Sequence, residues 1–330
     1  MQYRQIKLSD RKVIQKRLDQ GKKQKTIAAK LGFTESAISR EIARNSIGGE
    51  YWADQAHQLY LARRRQNIKY KKDNRKLFWY VLLKLMLRWS PEQIAMRMQL
   101  LFPDKTDMKI SHETIYKWIY DLKVKGITLY QFLRLKNKKY HKRGRISNDR
   151  ALKSGYKSIH DRPEVVEENV EAGHWEGDIV EGGKSTAYIA TFVERVSKYL
   201  VAQHLETKRS KNFAEKTKSA FQKIKTQLIK TITYDNGSEM ADFETIETSL
   251  KCQVYFADPG SPWQRGLNEN TNGLLRQFFP KGSDFRKFNQ KELDIAVELL
   301  NHRPRKNLGY RTPYEAFFGH LPTDNLALPN

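Results

Sequence analysis

The chain has 330 residues, enough for two or three domains with a core each. Its 61 Lys and Arg against 37 Asp and Glu leave a formal net charge of +24, which suits a polyanionic partner because each basic side chain that meets a phosphate releases condensed counterions. A single cysteine, Cys252, excludes an intramolecular disulfide and a cysteine-based zinc site and fits a reducing compartment.

The opening MQYRQIKLSDRKV carries charges every few residues and lacks the apolar core of a signal peptide. Ser9 is placed to cap a first helix carrying Val13, Ile14 and Leu18, with Gly21 past its end. A second short helix bears Ile27, Ala28 and Leu31; Gly32 supplies a tight turn, and Thr34 caps a third helix with Ile38 and Ile42 on its inner face. This is a helix-turn-helix pattern, and the outer face of its last helix offers Ser36, Ser39 and Arg40 to base edges and phosphates. An ordinary three-helix bundle is the plain alternative. Residues 51–76, with the run Arg63-Arg64-Arg65, read as a basic linker.

A second helical unit is expected over 77–125. Its apolar stretch Leu77 to Trp89, broken by Lys84 and Arg88, is too short to span a bilayer, so no membrane partner is expected. Ser90-Pro91-Glu92-Gln93 marks a helix start, with Ser at N-cap, Pro at N1 and Gln at N3. Ile94, Ala95 and Met98 form the inner face of that helix. Ser111 caps another helix in which Ile115 and Ile119 point inward and His112, Tyr116 and Lys117 outward, which makes a second helix-turn-helix-like reading possible. Residues 126–160, dense in charge from Lys136 to Arg145, read as a second basic linker.

The character then changes to a mixed α/β pattern over 161–285, with a helical extension over 286–330. Three strand-like runs, 173–180, 187–194 and 198–205, predict an antiparallel meander. A helix with Phe213, Ala214, Thr217, Ala220, Phe221 and Ile224 at helical spacing follows. Next come a strand ending at Asp235, a helix over 242–250 and a strand over 253–257.

Asp178 lies in the first of these strands, and Asp235 at the C-terminal end of the fourth, before the turn Asn236-Gly237. Glu269 lies on a helix expected to start with Ser261 at N-cap, Pro262 at N1 and Gln264 at N3, with Leu267, Thr271, Leu274 and Phe278 inward. Arg265, Asn272 and Arg276 share the face of Glu269, as donors suited to DNA phosphates. Three such acids suit magnesium or manganese, which prefer hard oxygen ligands. Two ions about 3.5 to 4 Å apart serve an in-line displacement at phosphorus. Glu176 and Glu239 are the nearest rival acids.

The residues around the three acids carry a resemblance. The segments His174-Trp175-Glu176-Gly177-Asp178, Tyr234-Asp235-Asn236-Gly237-Ser238-Glu239, and Ser261 through Arg276 resemble bacterial transposases of the insertion-sequence-thirty family, whose acid triad falls on Asp178, Asp235 and Glu269. Thirty-three residues separate the last two acids, as is usual there. Asn301-His302-Arg303-Pro304-Arg305-Lys306 and Thr312-Pro313-Tyr314-Glu315 resemble its C-terminal signature, and Ser90 to Ala95 with Ser111 to Tyr116 its second helix-turn-helix.

The resemblance implies all-α helix-turn-helix domains at 1–50 and 77–125, followed by an α/β ribonuclease-H-like catalytic domain. It implies a DDE-type transposase with two Mg2+ or Mn2+ ions per active site. The DNA partners would be terminal inverted repeats and target DNA. The enzyme would be a homo-oligomer, at least a dimer, working at the bacterial nucleoid in the cytoplasm. The competing expectations are a DNA-binding repressor with an inactive nuclease-like domain and a recombinase working through a covalent serine or tyrosine intermediate. A retroviral-type integrase would carry an N-terminal His/Cys zinc module, for which a chain with one cysteine has no counterpart.

Overall fold

The structure is a computed structural model that describes residues 4–124, 126–134, 155–183 and 187–322; for residues 65–73 and Pro262 only the backbone is described. The basic run Lys136 to Arg145 lies outside the described residues. The chain forms two compact units, Met1–Trp79 and Tyr80–Asn330.

In the first unit, α1 (Leu8–Asp19), α2 (Gln24–Leu31), α3 (Glu35–Asn45) and the start of α4 (Ala53–Asp73) enclose Ile14, Ile27, Ala28, Ile38, Tyr51 and Ala56. Gly32 takes the left-handed conformation (φ 70°) that ends α2, and Thr34 Oγ1 accepts the Ala37 N–H at 3.3 Å to start α3. Helix α1 begins at Leu8, one residue ahead of Ser9. The cap expected of Ser9 is made by Asp10, whose carboxylate accepts the Lys7 N–H at 2.9 Å.

Hydrophobic periodicity gives no sign of the buried charge in this unit. Arg11 donates to Glu41 at 2.7 Å, Tyr51 donates its hydroxyl to the same carboxylate at 3.2 Å, and the Arg11 guanidinium lies 4.8 Å from the centre of the Tyr60 ring. These contacts tie α1, α3 and α4 together, so the first turns of α4 pack as part of the helix-turn-helix core.

The second unit opens within α5 (Arg75–Met86) and continues through α6 (Pro91–Leu101) and α7 (His112–Val124). At the start of α6, Ser90 N–H donates to Gln93 Oε1 at 2.8 Å and Gln93 N–H donates to Ser90 Oγ at 3.2 Å, the reciprocal capping box expected there. Ser111 Oγ accepts the Thr114 N–H at 3.3 Å, and Ile94, Ala95, Met98, Ile115 and Ile119 are buried.

After a single turn α8 (Val165–Glu168) comes the sheet, with β1 (His174–Glu181), β2 (Tyr188–Glu194) and β3 (Leu200–Leu205) followed by α9 (Ser210–Phe221), β4 (Thr231–Tyr234), α10 (Phe243–Leu250) and β5 (Gln253–Phe256). The strand order is β3-β2-β1-β4-β5; β2 runs antiparallel to both β1 and β3, and β4 and β5 add parallel to β1. This is the mixed sheet expected of the ribonuclease-H-like reading. Alternation along β2 separates two cores. Ala190 and Phe192 join Phe213, Phe221, Ile246 and Phe256 on one side, while Ile189 and Val193 join Leu274, Leu275, Leu293 and Leu300 on the other. The second layer consists of α11 (Gly266–Leu275) and α12 (Gln290–Asn301).

Gly177 has a steric duty. A Cβ there would stand 2.2 Å from the Tyr234 ring, so only glycine lets β1 and β4 accept that buried tyrosine between them. The residues that follow, Asp178 and Asp235, therefore leave the same place in the sheet.

Helix α11 starts four residues later than its sequence pattern suggests. Pro262–Arg265 form a 3-10 turn, Ser261 makes no side-chain cap, and Gln264 spends its amide on Asp258, accepting the Asp258 N–H at 2.8 Å and donating to its carboxylate at 2.7 Å. The helix also ends at Leu275, ahead of Phe278.

The last helix, α13 (Pro313–Phe318), closes back on α6. Arg97 on α6 forms a two-point ion pair with Glu315 and donates to the Tyr310 carbonyl at 3.0 Å; Gln93 donates to the Pro304 carbonyl at 2.8 Å, and Glu92 accepts from Lys306 at 2.8 Å and from the Tyr310 hydroxyl at 2.9 Å. The two sequence signatures around Ser90 and Thr312 thus fit each other.

Candidate active site

Asp178 sits on β1 opposite Thr191 of β2. Thr191 donates its hydroxyl to Asn272 Oδ1 at 3.0 Å, which fixes the amide so that Asn272 Nδ2 donates to Asp178 Oδ2 at 2.7 Å. Asp235 follows β4, where its Oδ1 accepts the Gly237 N–H at 3.0 Å in a local turn. Arg265 lies between the two acids. Its Nη1 donates to the Gly177 carbonyl at 2.9 Å and stands 3.5 Å from Asp178, and its Nη2 donates to Asp235 Oδ2 at 3.2 Å. One guanidinium therefore serves two carboxylates of adjacent strands.

Burial is the largest influence on Asp178 and pushes its carboxyl above the usual carboxylate range; Arg265 opposes this and the Asp235 charge adds to it. The Arg265 cation thus offsets part of the cost of burying the Asp178 carboxylate. Glu269, exposed on the first turns of α11, lines with Asp178 a cleft of about 1150 Å³ to which Arg134, Arg265, Arg276 and Lys281 also contribute. Among the described residues, no group of three or more His, Cys, Asp or Glu is arranged to hold a metal ion.

Of the rival acids, Glu176 is committed elsewhere, whereas Glu239 lies beside the Asp235 turn. Glu176 is buried and accepts from Arg195 at 2.7 Å and from the Asn268 N–H at 3.2 Å, so it seats the first turn of α11 on β1. Burial raises its pKa. Glu239 lies 3.8 Å from Lys208. Sequence reasoning overlooked Asn268, which is buried with both side-chain amide atoms lacking a partner and which also lines the cleft.

The donors expected to meet DNA fall into two groups. Arg265 and Asn272 are turned onto the protein's own acids, and Arg276 donates to the Glu181 carbonyl at 2.6 Å. Ser36, Ser39 and Arg40 on α3, and His112, Tyr116 and Lys117 on α7, are exposed. Arg40 Nε donates to the Ser36 carbonyl at 3.0 Å, which leaves the rest of its guanidinium facing outward. No helix among the described residues is long and apolar enough to cross a membrane.

Comparison with known proteins agrees with this layout. Residues 168–262 match the family model of the integrase core domain, and residues 2–45 match a helix-turn-helix domain. The chain is 36% identical over 313 residues to the transposase for insertion sequence element IS1086 of Cupriavidus metallidurans, with 92% of this chain and 91% of that one covered. It is 35% identical over 317 residues to the transposase InsI for insertion sequence element IS30A of Escherichia coli (94% and 82% covered). It is 38% identical over 301 residues to the transposase for insertion sequence element IS4351 of Bacteroides fragilis (89% and 89% covered). With an N-terminal helix-turn-helix, an integrase-type core and similarity along most of its length, the chain belongs to the insertion-sequence-thirty family of transposases.

Proposed function

We propose that this transposase binds the terminal inverted repeats of an insertion sequence, cleaves the DNA at the element's 3′ ends and joins them to target DNA. Asp178, Asp235 and Glu269 are the catalytic groups and the ligands of two Mg2+ or Mn2+ ions. The observation that carries this reading is the guanidinium of Arg265, a single cation shared by Asp178 and Asp235 at the wall of the cleft that Glu269 also lines.

In kind, though not in their arrangement here, the three acids suit the metal. The three acids offer only hard oxygen, and a positive charge already stands between two of them. When bound, the divalent ions supply activation of the attacking water or 3′-hydroxyl and stabilisation of the leaving oxygen. The protein's part is positioning. Asn272 holds Asp178 in one orientation, Glu176 fixes the start of α11 and thus the approach of Glu269, and Arg265 holds Asp178 and Asp235 beside each other.

The helix-turn-helix of residues 1–50, through Ser36, Ser39 and Arg40, and the unit of residues 77–125, through His112, Tyr116 and Lys117, read and grip the ends. Residues 161–285 carry the chemistry, with 286–330 as their helical extension. Arg265, Asn272 and Arg276 line the cleft with Glu269 and are the donors that would meet the phosphates of the DNA strand there. Two or more copies act at paired ends in the cytoplasm, at the nucleoid.

The test incubates purified full-length protein with a labelled duplex carrying one element end, in magnesium, manganese or chelator. Nicks at the 3′ end and joined products are expected with either metal and none with chelator. Cleavage in chelator together with a covalent protein–DNA adduct would instead indicate a serine or tyrosine recombinase.

A further inference from the structure

Four arginines collect at the C-terminal end of α11. Arg134 Nη2 lies 3.2 Å from where a Cβ on Gly273 would stand, Arg303 Nη1 donates to Gln277 Oε1 at 2.9 Å, and the Arg88 guanidinium lies 5.4 Å from the centre of the Phe278 ring. Arg305 follows two residues after Arg303 and donates to the Leu300 carbonyl at the end of α12, at 3.2 Å. Among the described residues, none of the four forms an ion pair with a carboxylate.

Arg303 is buried, and the Nε atoms of both Arg303 and Arg305 are shut from solvent without a hydrogen-bond partner among the described residues. Burial pushes Arg303 down to about 9 and Arg305 down to about 10, and the neighbouring guanidinium groups push the same way. Carbonyls at helix ends favour cations, but they cannot neutralise four. Crowded guanidinium groups with unspent N–H donors are a standing cost to the fold unless an anion arrives to take them.

We propose that Arg88, Arg134, Arg303 and Arg305 form a phosphate clamp for a backbone phosphodiester of the DNA strand that runs through the catalytic cleft. The anion is DNA because Arg134 also lines the cleft of Asp178 and Glu269, so the two places share a wall. The clamp rests on the reading of that cleft as the DNA-cutting site. Guanidinium groups suit phosphate through paired N–H donors.

Arg305→Met and Arg134→Ala in the full-length protein provide the test. The DNA-free melting temperature is measured, together with affinity for an end-bearing duplex over a range of salt and the response to inorganic phosphate. The clamp predicts that Arg305→Met melts at or above the wild-type temperature. It also predicts about tenfold weaker duplex binding at low salt, with a salt slope shallower by about one. Phosphate should raise the melting temperature of the wild type and not of Arg305→Met. Arg134→Ala should likewise show a salt slope shallower by about one, without a change in melting.

An unchanged salt slope in both variants, or a lower melting temperature in Arg305→Met, would overturn the clamp and leave the arginines as helix-end caps. Asp235→Asn protein tests the acids separately, through its cleavage of the same duplex. If Asp235→Asn still cleaves DNA, the assignment of the acids fails and the clamp is judged on binding alone.

Discussion

Asp235→Asn protein is expected to bind an element end as the wild type does and to lose strand cleavage and joining by on the order of 10³-fold or more. The substitution is nearly isosteric. The side-chain oxygen that accepts the Gly237 N–H at 3.0 Å is kept, so the turn after β4 should stand. What is lost is the negative charge that shares Arg265 with Asp178 across 3.2 and 3.5 Å.

That charge also helps to raise the Asp178 carboxyl, after burial as the main cause, so its removal lets Asp178 ionise more readily. A defect traced to a protonated Asp178 would therefore improve in Asp235→Asn. Loss of cleavage with binding intact points to a missing metal ligand, whereas retained cleavage takes Asp235 out of the chemistry. The measurement pairs a gel-shift titration with a cleavage time course on the same duplex.

The second large effect concerns the fold. Glu315→Ala leaves the Arg97 guanidinium, whose side chain is 1% exposed, without its charged partner in the interior. Breaking a buried pair from one side typically costs about 3 to 5 kcal/mol, because the remaining charge stays desolvated. The same carboxylate accepts the Thr312 N–H at 2.9 Å, so the start of α13 loses one half of its capping box as well, while Thr312 Oγ1 keeps the N–H of residue 315. Urea unfolding should show a midpoint well below that of the wild type. The double variant Arg97→Met with Glu315→Leu should recover part of the loss, since it strands no charge, while the Thr312 N–H and the Tyr310 carbonyl still lose a partner. A wild-type midpoint for Glu315→Ala would mean that the contact between α6 and α13 carries no stability.

These two predictions mark where the sequence is legible and where it is not. Local rules were enough for Ser90-Pro91-Glu92-Gln93 and for Gly32 with Thr34, because a capping box and a left-handed turn are settled within a few residues. The strand runs were likewise readable, but not which way β2 faces, since it is buried on both sides with Ile189 and Ala190 in different cores. Local rules failed for Ser261-Pro262-Trp263-Gln264, which reads as an α-helix start but folds as a 3-10 turn because Gln264 is drawn to Asp258.

Pairs such as Arg97 with Glu315, 218 positions apart, or Arg11 with Glu41 leave no periodic trace, because charge carries no hydrophobic rhythm. Arg265 shows the same blind spot at the site. Its helical spacing with Glu269 marks a shared face, but only the fold brings its guanidinium between Asp178 and Asp235.

The central claim, that the acids of β1, β4 and α11 hold divalent ions together, is tested most directly by an anomalous difference map from crystals grown with manganese and an element end. The account predicts strong peaks between Asp178 and Asp235 and facing Glu269, with the Arg265 guanidinium moved from its place between the two aspartates. Manganese absent from that place, with Arg265 still bridging Asp178 and Asp235 beside bound DNA, would contradict it.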